Sequence, residues 1–534
     1  MTETSAEFRF RVGFGAPFAL LILVSLSAHE LWRDEAQAWL LARDAAGFWP
    51  LLTGSARVYE GHPFLWFWLL RAVSLISTSY LALQAVACVI TLANVSLVLS
   101  LAPLSRYQRV LLASSYFVLF EFGIIARSYG LGLLWLLLGL HLLASDKRFR
   151  LIWTALCCGF AVSTVLLALP AAALLVGLGC SPSLLRSVGL GRAPRLPDDK
   201  LAWIALAIFA SLIGLALGTT PVSSDAVVRL VPFSRLGPSA LLEAGARIWN
   251  AFAPLPPIEN PPGGWWNVNL LLPRDPGGRL SAGATLPALG GLLWLGAWIW
   301  ILARRSRGWL MGTALVLAVG AVALLIVRLP NVAARYDGHI VLCVVVALVL
   351  ACRERPELAR EPAFRALFAA TFGAHALAAC IALAHDFREP FSNSRATASY
   401  LRDINAQRST LIGLEYHRMA PVAAYLDQQL YSPERRRRIS YGIWSRAVHR
   451  ADYSTASREV IGRALCYAQA QNQAERHALL VTSGKLQLER DHRPALELLR
   501  SFEREGSESY FVYRVTDLFS HWPELRVTCQ RMTF

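Results

Sequence analysis

Apolar runs dominate the first 385 positions, broken by short polar connections. A run of about 20 apolar residues crosses ~30 Å of hydrocarbon as a helix. Such runs fall near 13–29, 81–102, 108–126, 129–145, 151–167, 166–181, 201–219, 285–303, 309–328, 339–352 and 365–385. They predict about eleven spans, provided 151–181 makes two short passes. Segment 63–79, PFLWFWLLRAVSLISTS, is short, carries Arg71 and is rich in Trp, which reads as an interfacial or re-entrant helix. From 386 onward the pattern changes. Strand-like stretches at 410–415, 439–444, 478–482 and 510–515 alternate with helical ones near 395–406, 420–430 and 456–476. The expected fold class is therefore an α-helical polytopic membrane domain over 1–385, followed by a soluble α/β domain over 386–534.

Composition agrees with that division. Charged residues make up 16% of the chain, against about 25% in ordinary soluble proteins. Residues 386–534 hold 39 of the 88 Asp, Glu, Lys and Arg, twice the density of the preceding part. A cytosolic enzyme, a disulfide-stapled secreted module and a disordered tail protein are excluded. The net charge of +16 needs no nucleic-acid partner, because much of it sits in short connections. Arg106/Arg109, 147–150, Arg186/Arg192/Arg195, 304–307 and 353–365 all fall on one side if Arg9 and Arg11 lie inside. That sidedness predicts a multi-pass protein of the cytoplasmic (inner) membrane. Its N-terminus is cytoplasmic, and 30–62, the turn near 127, 220–284, 329–338 and the tail are outside. The first apolar run is followed by His29-Glu30-Leu31-Trp32 with no small-residue cleavage site, so it is expected to stay as a span.

The polar residues able to carry chemistry gather in those outer segments. Asp34 and Glu35 follow the first span. Asp34 suits the N-cap of a helix over 35–49, with Gln37 completing a capping box. Neighbours on a helix point about 100° apart, so the two carboxylates are expected to differ in role, one acting and one orienting. Glu60-Gly61-His62-Pro63 forces a turn at the membrane boundary, with His62 a ligand or hydrogen-bonding candidate. Glu121 and Arg127 stand in an apolar hairpin, where ionisable groups default to function. Their spacing of six is poor for a mutual pair, which leaves Arg127 as an anion partner beside Tyr129. Segment 331–339 brings Arg335, Asp337 and His339, and arginine is well suited to phosphate. In the long loop, Gly263-Gly264-Trp265-Trp266-Asn267 offers aromatic faces and an amide that suit sugar rings, or interfacial anchors. No phosphate loop, CxxC pair, HExxH or GxSxG occurs. Of nine cysteines, Cys466 and Cys529 lie in the tail, where export permits a disulfide.

In this order and sidedness, the Asp-Glu pair, the Gly-His-Pro-x-Leu boundary, Arg-Ser-Tyr-Gly at 127–130 and Arg-Tyr-x-Gly-His at 335–339 resemble GT-C-fold integral membrane glycosyltransferases. The nearest likeness is to the bacterial branch related to protein O-mannosyltransferases and to aminoarabinose transferases of lipid A. Two departures stand out. Gly61-His62-Pro63-Phe64 replaces a basic residue followed by two prolines, and Arg335-Tyr336-Asp337 stands where relatives show Arg-His-His. The resemblance implies a polyprenyl-phosphate sugar donor and transfer to a lipid, glycan or protein acceptor at the outer face. It further implies Asp34 as inverting general base and Arg127, Tyr129, Arg335 and His339 at the donor phosphate. Glu60, His62, Trp265, Trp266 and Asn267 would support the site or meet the acceptor, and Glu35 with His62 would hold a divalent ion if one is needed. Two other readings stay open. A secondary transporter would place its charges near the midplane in paired halves, and a glycan polymerase or ligase would use a lipid-diphosphate donor.

Overall fold

The structure is a computed structural model describing residues 5–187, 198–227, 230–237, 239–261, 264–274, 280–304, 308–329, 333–446, 458–472, 478–486, 496–504, 508–515 and 529. Gly263, Arg192, Arg195, Arg305, Arg307, Asn331 and the ends of the expected 456–476 helix lie outside the described residues. The membrane part is built from α1 (Ser5–Ala28), α2 (Arg33–Asp44), α3 (Phe48–Thr53), α4 (Leu65–Ser74), α5 (Tyr80–Leu99), α6 (Arg106–Ala113), α7 (Ser128–Ala144), α8 (Arg150–Thr164), α9 (Leu169–Ser187), α10 (Asp198–Thr219), α11 (Ser239–Phe252), α12 (Thr285–Ala303), α13 (Gly308–Val327), α14 (Ala334–Glu354) and α15 (Pro362–Arg388). A π-helical segment, Tyr116–Ile124, joins α6 to α7.

Among the described residues, seven helices are long and apolar enough to cross a membrane, namely α1, α5, α10, α12, α13, α14 and α15. The sequence expectation of about eleven is not reached by length. Helix α7 has 17 residues, about 26 Å at 1.5 Å per residue. Helices α8 and α9 are similarly short of a full crossing in their apolar parts. The 108–126 run is split at Ser114–Ser115, where α6 ends and the wider π-helical turn begins. Apolar letters run straight through these breaks, so helix length leaves the count of eleven unconfirmed. Helix α14 is the central strut, with 89% of its apolar window buried, against 22% for α10. Gly338 lets it approach closely, since a Cβ there would press on the rings of Phe117 and Phe122.

The segment 63–79 contains α4, a ten-residue amphipathic helix that buries Trp66, Phe67 and Leu70 and is too short to cross. Helix α2 begins at Arg33 and ends at Asp44, which corrects the expected 35–49. Its cap is also different: Trp32 occupies the N-cap, and Glu35 Oε2 accepts the Trp32 N–H at 3.3 Å. Asp34 therefore sits inside the first turn with its carboxylate free of capping.

The tail holds α16 (Ser394–Asp403), α17 (Tyr416–Leu426), α18 (Arg458–Asn472) and a six-stranded mixed sheet. Its strands are β1 (Thr410–Gly413), β2 (Leu430–Ser432), β3 (Arg437–Ile439), β4 (Ala478–Thr482), β5 (Leu496–Phe502) and β6 (Tyr510–Val515), in spatial order β3-β2-β1-β4-β6-β5. Strand β1 is parallel to β2 and β4, while β3, β5 and β6 pair antiparallel. The expected strand at 439–444 is corrected to 437–439, and β2 and β5 had no counterpart in the expectation. Cys466 and Cys529 form a disulfide, with Cα atoms 5.0 Å apart.

The tail is clamped to the loop and helix that follow α1. Gln37 donates to the Gly442 carbonyl (2.8 Å) and accepts the Gly442 N–H (2.7 Å). Leu31 N–H donates to the Tyr425 hydroxyl at 2.9 Å, Arg395 donates to the His29 carbonyl at 2.7 Å, and Asp427 receives Arg43 and Thr78.

Candidate active site

Asp34 lies where α2, the 125–127 turn and the start of α14 meet. Its Oδ2 accepts from Arg127 Nη1 and, at 3.2 Å, from Arg335 Nη2. Arg33 Nε lies 3.9 Å from Oδ1. Burial works against ionisation of this carboxyl, but Arg127, Arg335 and Arg33 outweigh it and hold it down at about 2. Asp34 is therefore an anion at every physiological pH. Arg335 is 9% exposed, yet its Nε and Nη1 have no hydrogen-bond partner among the described residues. Its guanidinium stands 5.5 Å from the Trp266 ring centroid and 5.3 Å from that of Tyr336.

Asp337, two residues on, does not neutralise Arg335. Two helical steps turn it about 200° away. There it accepts from Asn250 Nδ2 (2.7 Å) and faces Arg247 (3.5 Å). Two guanidiniums thus share the Asp34 carboxylate, and two buried nitrogens of Arg335 stay uncommitted among the described residues. Such an arrangement suits a phosphate monoanion or diester.

Glu35 has the opposite fate, as the divergent geometry of adjacent helical residues predicts. It is fully buried. Its Oε1 accepts the Ala126 N–H at 2.6 Å, and its Oε2 lies 3.1 Å from His29 Nε2. The other nitrogen of His29 faces both Asp386 oxygens at 2.9 and 3.0 Å. Burial opposes the His29 cation, but Asp386 and Glu35 overcome it, so the imidazole is raised well above its usual value. The carboxylate–imidazolium–carboxylate chain ties the end of α1 to α2, α15 and the backbone next to Arg127.

His62 lies beside the arginine pair, without reaching Glu35. Its ring stands edge-on to Tyr129 with centroids 6.3 Å apart, and its carbonyl accepts from Arg57. Burial, reinforced by Arg127 and Arg335, pushes its imidazole down to about 3. Glu35 and His62 do not fit a metal centre. Both Glu35 oxygens are engaged, and no group of three or more His, Cys, Asp or Glu among the described residues is arranged to hold an ion. Glu60 accepts from Gln37 Nε2 at 2.8 Å and is pushed up by burial, against the pull of Gln37 and Arg127.

Tyr129 stacks on Phe122 (5.6 Å) and meets His339 edge-on (5.7 Å), with its buried hydroxyl unpartnered among the described residues. His339 Nδ1 is 3.2 Å from the Tyr336 carbonyl of its own helix, which turns the ring towards aromatics. Gly130 fixes this corner. A Cβ there would collide with the Phe122 carbonyl, and Asn94 donates to the Gly130 carbonyl at 2.9 Å.

The Trp-Trp-Asn surface offered by the sequence is packed inward. Trp265 is 4% exposed and stacks on His385 at 4.8 Å, and Trp266 packs on Trp32 at 4.4 Å and donates to Glu121 Oε2 at 3.1 Å. Asn267 Oδ1 accepts the Ala334 N–H at 2.9 Å, anchoring the start of α14 just before Arg335. These residues brace the site.

Four contributors escaped sequence reasoning: His29, Arg33, Asp386 and Glu508. Glu508 comes from the tail, and its Oε1 is 3.8 Å from Arg33 Nε. Burial raises its carboxyl, opposed by Arg33. His29 and Asp386 carried one usable signal, an ionisable residue at the C-terminal end of an apolar run.

Fold and site define a polytopic helical protein in which one carboxylate is clamped by two arginines beneath a docked α/β domain. By sequence, the chain matches no described protein family and no curated protein. In structure it is similar to ArnT from Cupriavidus metallidurans bound to undecaprenyl phosphate, at 13% identity and a TM-score of 0.46, covering 94% of this chain and 97% of that one. It is also similar to the apo state of the same ArnT, at 15% identity and a TM-score of 0.40, covering 95% and 98%.

Proposed function

We propose that the protein transfers a sugar from a polyprenyl-phosphate donor to an acceptor hydroxyl at the outer face of the cytoplasmic membrane. The observation that carries this reading is Arg335, buried beside Asp34 with two nitrogens uncommitted among the described residues. A donor phosphate would take those groups together with Arg127, while its apolar chain lies among the spans. Asp34 would then accept the proton of the acceptor hydroxyl as that oxygen attacks the anomeric carbon. The bond from that carbon to the phosphate oxygen breaks with inversion, and the departing polyprenyl phosphate keeps the electron pair, its charge balanced by Arg127 and Arg335.

The clamp gives the order of events a physical basis. A carboxyl held at about 2 is a poor base. A phosphate that competes for both guanidiniums loosens their hold and makes Asp34 more basic as the donor arrives. Sidedness is supported by the Cys466–Cys529 disulfide, which suits an oxidising compartment, and by the Gln37–Gly442 bonds that join the tail to the same face as Asp34.

The test is transfer from a radiolabelled polyprenyl-monophosphate sugar by purified full-length protein. Asp34→Asn should reduce turnover by about 10²–10⁴-fold, the usual span for a general base, with expression and melting near wild type. Turnover retained in that variant removes Asp34 from the mechanism. Turnover with a lipid diphosphate alone makes the protein a ligase.

A further inference from the structure

At the end of α1 remote from Asp34, a groove of about 750 Å³ opens between α1 and α6. Ala6, Arg9, Phe10 and Phe14 line one side, and Arg106, Tyr107 and Val110 the other. We propose that this groove is a binding site for an anionic phospholipid of the cytoplasmic leaflet, with its phosphodiester between Arg9 and Arg106 and an acyl chain along Phe14 and Tyr107.

Charge supports the headgroup. Among the described residues Glu7 is the acidic residue of the cluster, and it already binds Arg109 through both oxygens, with Arg106 at 3.6 Å and Arg11 at 3.9 Å. Three arginines thus surround one carboxylate, and Arg9 on the groove wall brings the excess in this cluster to three positive charges. Arg109 is 5% exposed and is further spent on the Leu99 carbonyl at 2.8 Å, so it serves the fold. Arg9 and Arg106 are the exposed members and stand at the mouth.

Shape supports the chain. Phe10 forms an apolar floor, with the guanidiniums of Arg106 and Arg109 at 5.4 and 4.7 Å from its ring centroid. Phe14 and Tyr107 are 44% and 57% exposed and face outward where lipid would contact them. Basic pockets between helices at the cytoplasmic surface are suited to anionic headgroups, because that leaflet carries the negative surface potential. The site is separate from the transfer chemistry, at the other end of a 24-residue helix about 36 Å long.

Native mass spectrometry of the full-length protein, titrated with phosphatidylglycerol or phosphatidylcholine of matched chains, tests the proposal. Wild type should retain phosphatidylglycerol in preference, and its melting temperature should rise with that lipid alone. Arg9→Gln should weaken the preference about fivefold, and Arg9→Gln/Arg106→Gln about 25-fold, from the usual contribution of a basic residue near an anionic surface. Arg9 is exposed and makes no ion pair among the described residues, so the single variant reads the site even if the double variant folds poorly. Equal retention of the two lipids by wild type, or an undiminished preference in Arg9→Gln, overturns the proposal.

Discussion

Arg335→Gln should separate catalysis from stability. In the resting site this guanidinium makes one hydrogen bond, to Asp34 at 3.2 Å, and buries two further nitrogens without partners. A hydrogen bond to a charged group contributes about 1.5–3 kcal/mol, and an unsatisfied buried group costs about 1–3 kcal/mol. The stabilising and destabilising contributions of Arg335 therefore nearly offset in the empty protein. Removing it should move the melting temperature by no more than about 2–4 °C, equivalent to roughly 1 kcal/mol in a mid-sized domain and less in a chain this long.

Activity should respond differently. The two uncommitted nitrogens would each lose a charge-assisted bond to the donor phosphate, together about 3–6 kcal/mol. That corresponds to a fall of about 10²–10⁴-fold in kcat/KM. The Asp34 carboxyl should also rise from about 2, because one of its three cationic neighbours is gone. Initial rates with a radiolabelled donor, in parallel with melting by intrinsic fluorescence, measure both effects. A variant within about threefold of wild-type kcat/KM, under ~0.7 kcal/mol, would refute the phosphate assignment. An inactive variant that also melts far below wild type would make Arg335 a structural residue.

Two further predictions concern the supports of the site. His29→Gln leaves Asp386 and Glu35 buried without the cation between them, and should destabilise by about 3–5 kcal/mol. Because the His29 value is raised in the folded protein, its stabilisation is fully present below the unfolded value of about 6.5 and is lost as pH rises through the folded value. Wild type should thus lose melting temperature on the alkaline side while His29→Gln changes less. A parallel alkaline decline in both would remove the imidazolium from the account. Replacing Cys466 and Cys529 with Ser opens a cross-link spanning a sequence separation of 63 and should lower tail stability by about 4 kcal/mol. Limited proteolysis of the tail reads this, and free thiols at both positions in exported wild type would contradict it.

The division into an apolar part and an α/β tail was legible because it depends on composition over long windows. Individual crossings were less so. The 108–126 run reads as one span, but Ser114–Ser115 interrupts it and Tyr116–Ile124 adopts a wider turn that brings Glu121 to Trp266. Neither event changes the apolar count. The short strands β2 and β3 were missed or misplaced for a related reason. With three residues each, they are too brief to show a period of two.

Asp34 and Glu35 mark how far local rules reach into the site. Helical geometry requires neighbouring side chains to diverge, so different roles for the two carboxylates follow from the sequence alone. Which of them is spent on the fold depends on partners that are local for neither. Glu35 meets the Ala126 N–H at a separation of 91 positions, and His29 meets Asp386 across 357. The same holds for the aromatic loop, where spacing offers Trp265 and Trp266 as a surface. Packing against His385 and Trp32 instead makes them a wall behind Arg335. With Glu35 consumed by backbone and imidazole, Asp34 is left as the carboxylate facing two arginines, and a ligand that engages Arg335 must compete with it.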